Sequence, residues 1–205
     1  MFSTQQQIQV AIEVLKEGGT VAFPTDTVYG IGANALMDRA VEKVYQVKQR
    51  PRHIAMPLLL AEKSELVGVA APVPEIAWRL ANHFWPGGLT LVLRKNPLLS
   101  TLATAGGYTV AVRIPNHSIP IALICGLGVP LTGTSANLSG KPSPVTAEEV
   151  YRQIGDRVDL IVDGGRCPGA IESTVVDLTE KVPRIVREGA LSREAIETVC
   201  GVPVV

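Results

Sequence analysis

The residues best suited to chemistry lie in two loops rich in hydroxyls and glycine, with a few cations between them. The first loop, PTDTVYGIGANA (24 to 35), follows the apolar run Val21, Ala22 and Phe23 and reads as a buried strand opening into a loop. Its threonines, aspartate, tyrosine and asparagine are interleaved with Gly30 and Gly32, which allow positive φ and close approach of backbone to a ligand. The same loop can also be read as an ordinary strand-to-helix connection whose Thr and Asp cap backbone groups. The second loop, TGTSANLSGKPS (132 to 143), has the backbone donors and short side chains that phosphate oxygens need.

The cations are placed by periodicity. Val41, Val44, Tyr45 and Lys48 stand at i, i+3, i+4 and i+7, so a lysine arrives where an apolar stripe should continue and aims its ammonium at the covered side. Gln49 to His53 then ends that helix in a basic cluster containing Arg50 and Arg52. In residues 108–114, alternation puts Tyr108, Val110, Val112 and Ile114 on one strand face and Thr109, Ala111 and Arg113 on the other. Arg113 is either a solvated strand arginine or, since its neighbours are small, a residue with room for a ligand above it.

Other chemistries find less support. Gly30 to Ala35 matches the G-x-G-x-x-G/A dinucleotide pattern, but lies six residues past the strand end, and cations occupy Lys48 to His53, where a ribose-binding carboxylate belongs. Gly133 to Lys141 resembles a phosphate loop, yet Pro142 stands where Ser or Thr should hold magnesium. His53, His83 and His117 are far apart with no Cys or Glu at ligand spacing, so no metal site is expected. There is no GxSxG elbow. Hydroxyl loops with scattered cations suit an anionic, phosphorylated substrate and catalysis by placement and charge.

The elements that must hold these groups form one α/β pattern. Ser3 with Gln6 makes a capping box for a helix striped with Ile8, Ile12 and Leu15, stopped by Gly18 and Gly19. Asp38 is expected to cap the helix that carries Lys48, and Pro74 to open one with Ile76, Leu80 and Phe84 on a face. Residues 119–125 form a short helix, Thr146 with Glu149 starts another through Ile154, and Ser192 caps a last one ending near Gly201. Strands are expected at 21–23, 57–61, 89–93, 108–114, 129–131, 158–162, 174–178 and 185–186. The expected architecture is a single α/β domain over residues 1–205, core about 4–190, with an open twisted mixed sheet and flanking helices.

Composition agrees. Of 205 residues 46% are hydrophobic and 4% aromatic, so the core is aliphatic, and a net charge of zero gives no global pull towards nucleic acid or membrane. Cys125, Cys167 and Cys200 are odd in number, dispersed and without CxxC spacing, which fits a reducing cytoplasm. No secretory leader or stretch of membrane-spanning length is visible, so a soluble cytoplasmic protein is expected.

Taken together, PTDTVYGIGANA (24 to 35), VYQVKQRP (44 to 51), FWPGGLTLVL (84 to 93), VAVRIPNH (110 to 117), TSANLSGKPSP (134 to 144), ESTVVDL (172 to 178) and IVREG (185 to 189) resemble the YrdC-like family, the threonylcarbamoyl-AMP synthases. The resemblance covers almost the whole chain and implies a concave sheet face holding ATP and L-threonine. The implied reaction takes L-threonine, bicarbonate and ATP to threonylcarbamoyl-AMP and pyrophosphate, with Mg²⁺ accompanying ATP and no tightly bound cofactor. Other proteins would transfer the threonylcarbamoyl group to adenosine 37 of tRNA, and a direct contact with tRNA or double-stranded RNA is a further expectation. By the same resemblance Thr27, Arg113, Gly133 and Ser173 bind threonine, with Arg113 on its carboxylate. Lys48, Arg50, Thr109, Ser135, Asn137, Ser143 and Arg187 bind ATP. Lys48, Arg50 and Arg113 are the expected catalytic group.

The chain departs from the family where many members have Asn-Pro-Leu-Ile-Val-His. Here that run is Met56 to Ala61, after a longer spacer, and His53 is a candidate replacement for the missing histidine. Ending at Val205, the chain resembles the short, single-domain members. Two alternatives stay open: an RNA-binding module, whose affinity would fall steeply with salt and ignore threonine, and a relative that makes carbamoyl-adenylate.

Overall fold

The computed structural model describes residues 3–99 and 102–205. Helix α1 (Thr4–Lys16) opens on the Ser3–Gln6 capping box, satisfied in both directions, and buries Ala11, Ile12 and Leu15. Gly18, at φ 80°, turns the chain into β1 (Val21–Phe23). The loop beginning at Pro24 is shorter than expected, because Gly30–Gly32 forms a strand of its own, β2, antiparallel to β1. Neither glycine has positive φ. Gly32 is needed for the close approach of another segment: a Cβ there would stand 2.2 Å from the Thr132 carbonyl oxygen.

Helix α2 (Asp38–Lys48) has Met37 at its N-cap with no side-chain cap, so Asp38 is not the cap; it sits in the first turn, where its charge still suits the helix dipole. The expected stripe is buried, Lys48 included. After β3 (Leu58–Leu59) and a 3-10 turn, α3 (Leu66–Val69) and α4 (Glu75–Phe84) lead to β4 (Leu89–Arg94) and β5 (Thr109–Arg113). Then come α5 (Ser118–Leu127), β6 (Leu131–Thr132), β7 (Thr134–Ser135), α6 (Ala147–Ile154), β8 (Leu160–Ile161), β9 (Thr174–Asp177), β10 (Arg184–Arg187) and α7 (Arg193–Cys200). Thr146 and Ser192 cap α6 and α7 as expected; the Glu149 carboxylate reaches the Val145 N–H, so only half of that box closes.

The expected mixed α/β architecture is present, with the strands divided between two sheets. One has order β7-β2-β1-β8, the other β10-β9-β4-β5-β3-β6, each mixing parallel and antiparallel pairs. They meet at a seam where Asn34 bridges Leu131, the Thr132 N–H donates to the Ala33 carbonyl at 2.9 Å, and the Thr132 hydroxyl accepts from the Ala33 N–H at 3.0 Å.

The main core packs α2 and α4 on the larger sheet, with Val44, Leu80, Leu91, Val112 and Val176 all fully buried. A smaller core joins α1 and α5 to Phe23 and Leu131. Each such side chain contributes about 1.5–3 kcal/mol by leaving water. Alternation then decides the other face of the larger sheet. Leu89, Leu91, Val110, Val112 and Val176 point into the core, which leaves Thr90, Ala111, Arg113 and Val175 as the floor of a cavity.

Candidate functional site

This cavity has a volume of about 780 Å³, well suited to a medium-sized ligand. Its floor is the sheet face just described. Its walls are the Thr25 to Gly30 segment, the end of α2 with Arg50, Ile54 and Ala55, the Gly133 to Lys141 turn, and Glu172, Ser173, Val186 and Arg187.

Arg113, at the end of β5, is 7% exposed and held on three sides. Its Nε donates to the Gly87 carbonyl at 2.9 Å, Nη1 to the Thr27 hydroxyl at 2.9 Å, and Nη2 to Asp26 Oδ1 at 2.6 Å. Asp26 Oδ1 also accepts from the Asn116 N–H. Burial lowers the Arg113 pKa, Asp26 opposes that shift, and a guanidinium stays charged at any such value. Three of its five N–H donors are used by protein, which sets the guanidinium plane and leaves two for a ligand.

The neighbouring hydroxyls are tightly engaged. The Thr25 hydroxyl donates to the Val28 carbonyl at 2.7 Å, accepts from the Thr27 and Val28 N–H groups at 3.1 and 3.3 Å, and lies 2.9 Å from the Thr27 hydroxyl. The Thr27 hydroxyl accepts from Arg113 and has a lone pair left for a donor on a ligand.

Lys48 is 1% exposed. Its Nζ donates to the Ser135 carbonyl, to the Asn137 carbonyl at 2.8 Å and to Asn137 Oδ1 at 2.9 Å. Burial first, then repulsion from Arg50, lowers its pKa to about 7, with Glu172 pulling the other way. Three oxygen acceptors call for all three ammonium protons, so the geometry is that of the charged form. Lys48 thus ties down the turn containing Ser135 and Asn137, and presents charge, but no spare donor, to the cavity. Asn137 is equally engaged: Oδ1 also accepts from the Ser135 hydroxyl at 2.6 Å, and Nδ2 donates to the Lys141 carbonyl.

Arg50 borders the cavity and folds over the segment beyond it, Nε donating to the Ile54 carbonyl at 3.0 Å and Nη2 to that of Ala55 at 2.7 Å. Ser173, 5% exposed, shares a 2.7 Å hydroxyl contact with Thr90, and its carbonyl accepts from Arg187 Nε and Nη2. Arg187 also pairs with Glu172, whose other oxygen accepts from the Ser143 hydroxyl at 2.5 Å.

The structure therefore brings Thr27, Lys48, Arg50, Arg113, Gly133, Ser135, Asn137, Ser173 and Arg187 to one cavity. Ser143 stands behind Glu172. Thr109 is on the expected strand face, but at the outer end of β5 opposite Arg94, and does not border the cavity; alternation gives the face, not the distance along it. Met56 is buried in the core, His53 is exposed and away from the cavity, and Ala61 borders a smaller neighbouring cavity of about 610 Å³. Asp26, Thr90, Lys141 and Glu172 were not assigned from sequence. The signal for Thr90 was a lone hydroxyl in the apolar strand LTLVL.

The family model described as telomere recombination, covering Sua5, YciO and YrdC, matches residues 13–189. The chain belongs to the Sua5–YciO–YrdC family. It is 45% identical over 202 residues to the threonylcarbamoyl-AMP synthase of Bacillus subtilis (strain 168), covering 98% of this chain and 58% of that protein. Pyrococcus abyssi Sua5 complexed with L-threonine superposes with a TM-score of 0.95 at 42% identity, over 100% of this chain and 60% of the other. Escherichia coli YciO gives a TM-score of 0.85 at 30% identity, over 95% and 94% of the two chains. The chain thus spans about three-fifths of the length of the first two family members.

Proposed function

We propose that this chain forms threonylcarbamoyl-AMP and pyrophosphate from L-threonine, bicarbonate and ATP. The observation that supports this most is Arg113, a buried guanidinium with two donors to spare, in one cavity with Lys48, Arg50 and Arg187. A carboxylate wants a two-pronged arginine, and a polyphosphate wants several cations with hydroxyl and backbone donors.

Threonine would place its carboxylate on Arg113 and give a proton donor, its hydroxyl or amine, to the Thr27 hydroxyl; Ser173 would flank it. The neutral amine attacks the carbon of bicarbonate, releasing water and leaving a carbamate. A carbamate oxygen then displaces pyrophosphate from the α-phosphorus of ATP. Arg50 and Arg187 would contact phosphate oxygens, and Lys48 would add charge while shaping the turn with Ser135 and Asn137. A divalent cation with the nucleotide would offset phosphate charge. Transfer to tRNA would follow in the cytoplasm on other proteins. Among the described residues no helix is long and apolar enough to cross a membrane.

The test is incubation with ATP, Mg²⁺ and labelled bicarbonate, with threonine, serine or no amino acid. Label in an AMP-containing product with threonine alone is expected. Unlabelled AMP products from a folded, ATP-binding protein would overturn the reading.

A further inference from the structure

The nucleotide reading leaves two charged groups of the cavity, Lys141 and Glu172, without a part. Among the described residues lining it, Glu172 is the one carboxylate, set among Lys48, Arg50, Arg113, Lys141 and Arg187. A fixed negative charge in a polyphosphate site opposes the ligand unless a cation arrives with it. The carboxylate now has two partners: Oε1 accepts from the Ser143 hydroxyl at 2.5 Å, and Oε2 pairs with Arg187 Nη1. Arg187 borders the cavity and is given to the nucleotide by the family resemblance, whereas Ser143 holds the carboxylate from behind. When phosphates engage Arg187, Glu172 faces the same oxygens with Oε2 released from its pair.

Its surroundings suit a metal contact. The next residue, Ser173, is anchored by its hydroxyl contact with Thr90, while the Glu172 side chain is 35% exposed and open to the cavity on one side. Among the described residues no three His, Cys, Asp or Glu gather, so a hard cation here would draw most of its ligands from phosphate and water and one from protein, as Mg²⁺ on nucleotides commonly does.

We propose that Glu172 is the protein ligand of the divalent cation carried by the nucleotide, held by Ser143 and Arg187 until the phosphates take Arg187 over. The inference rests on the ATP reading above.

The experiment is calorimetric binding of ATP to the full chain, once with Mg²⁺ and once with EDTA, for wild type, Glu172→Gln and Glu172→Asp. In wild type, Mg²⁺ should tighten ATP binding by about tenfold or more. In Glu172→Gln, metal-free ATP should bind about tenfold more tightly than to wild type, because Arg187 is released and the opposing charge is gone, and the preference for Mg²⁺ should fall to near one. Glu172→Asp should keep the wild-type order. The same Mg²⁺-to-EDTA ratio in wild type and Glu172→Gln would overturn the inference and make Glu172 a latch between loop and strand. A wild type that binds ATP in neither condition would overturn the ATP reading itself.

Discussion

At the scale of single residues, the cavity is governed by how many donors each cation has left. Lys48 was legible in the sequence because it interrupts an apolar stripe, but what it does there was not, since its three acceptors lie 87 and 89 positions away. Asp26 escaped for the same reason: its pairing with Arg113 spans 87 positions. With its pKa lowered to about 7 from an ordinary 10.5, Lys48 is charged below pH 7 and loses the proton as pH rises through it. The turn it fastens is therefore complete on the acid side, and ATP affinity should weaken between pH 7.5 and 9, by up to about tenfold per unit. Lys48→Met should bind ATP weakly with no such slope. Stability runs oppositely: burying the charge is a penalty fully present below the folded value, about 7, and relieved as pH climbs towards 10.5. A flat wild-type affinity over this range would show that the Lys48 proton plays no part.

At the scale of elements, helices with caps and stripes were readable, and three-residue strands of glycine were not. Gly30–Gly32 has almost no side-chain pattern to show a period of two, so the sequence does not separate this strand from the loop before it. Gly30 borders the cavity, while Gly32 serves the seam between the two sheets. Gly32→Ala would push a methyl into the Thr132 carbonyl, and backbone on that side cannot yield without parting β2 from β6. A loss of about 3 kcal/mol in urea denaturation is expected. Gly68→Ala is the control: it lies in α3 with nothing within 4 Å of the added carbon, so it should be neutral or stabilising by up to about 1 kcal/mol. Equal stability of the two variants would mean that the seam is slack.

At the scale of the whole molecule, a net charge of zero conceals a cavity lined, among the described residues, by five cations and one carboxylate. Composition could not show this, since it sums over the surface; seven motifs spread over the chain could, because the fold gathers most of them on one sheet face. Thr109 lies on the same strand face but beyond the cavity, because alternation gives a face and not a distance along it. The proposed function divides the cavity, with Arg113 holding an amino-acid carboxylate and the remaining cations a triphosphate. The direct measurement is calorimetric titration of Arg113→Ala and Arg113→Lys with threonine and with Mg-ATP separately. Losing the fork should cost threonine about 1.5–3 kcal/mol in the alanine variant, roughly ten- to a hundredfold in affinity, and less in the lysine variant, while ATP binding stays near wild type and reports that the protein is folded. Equal losses for both ligands would contradict the division.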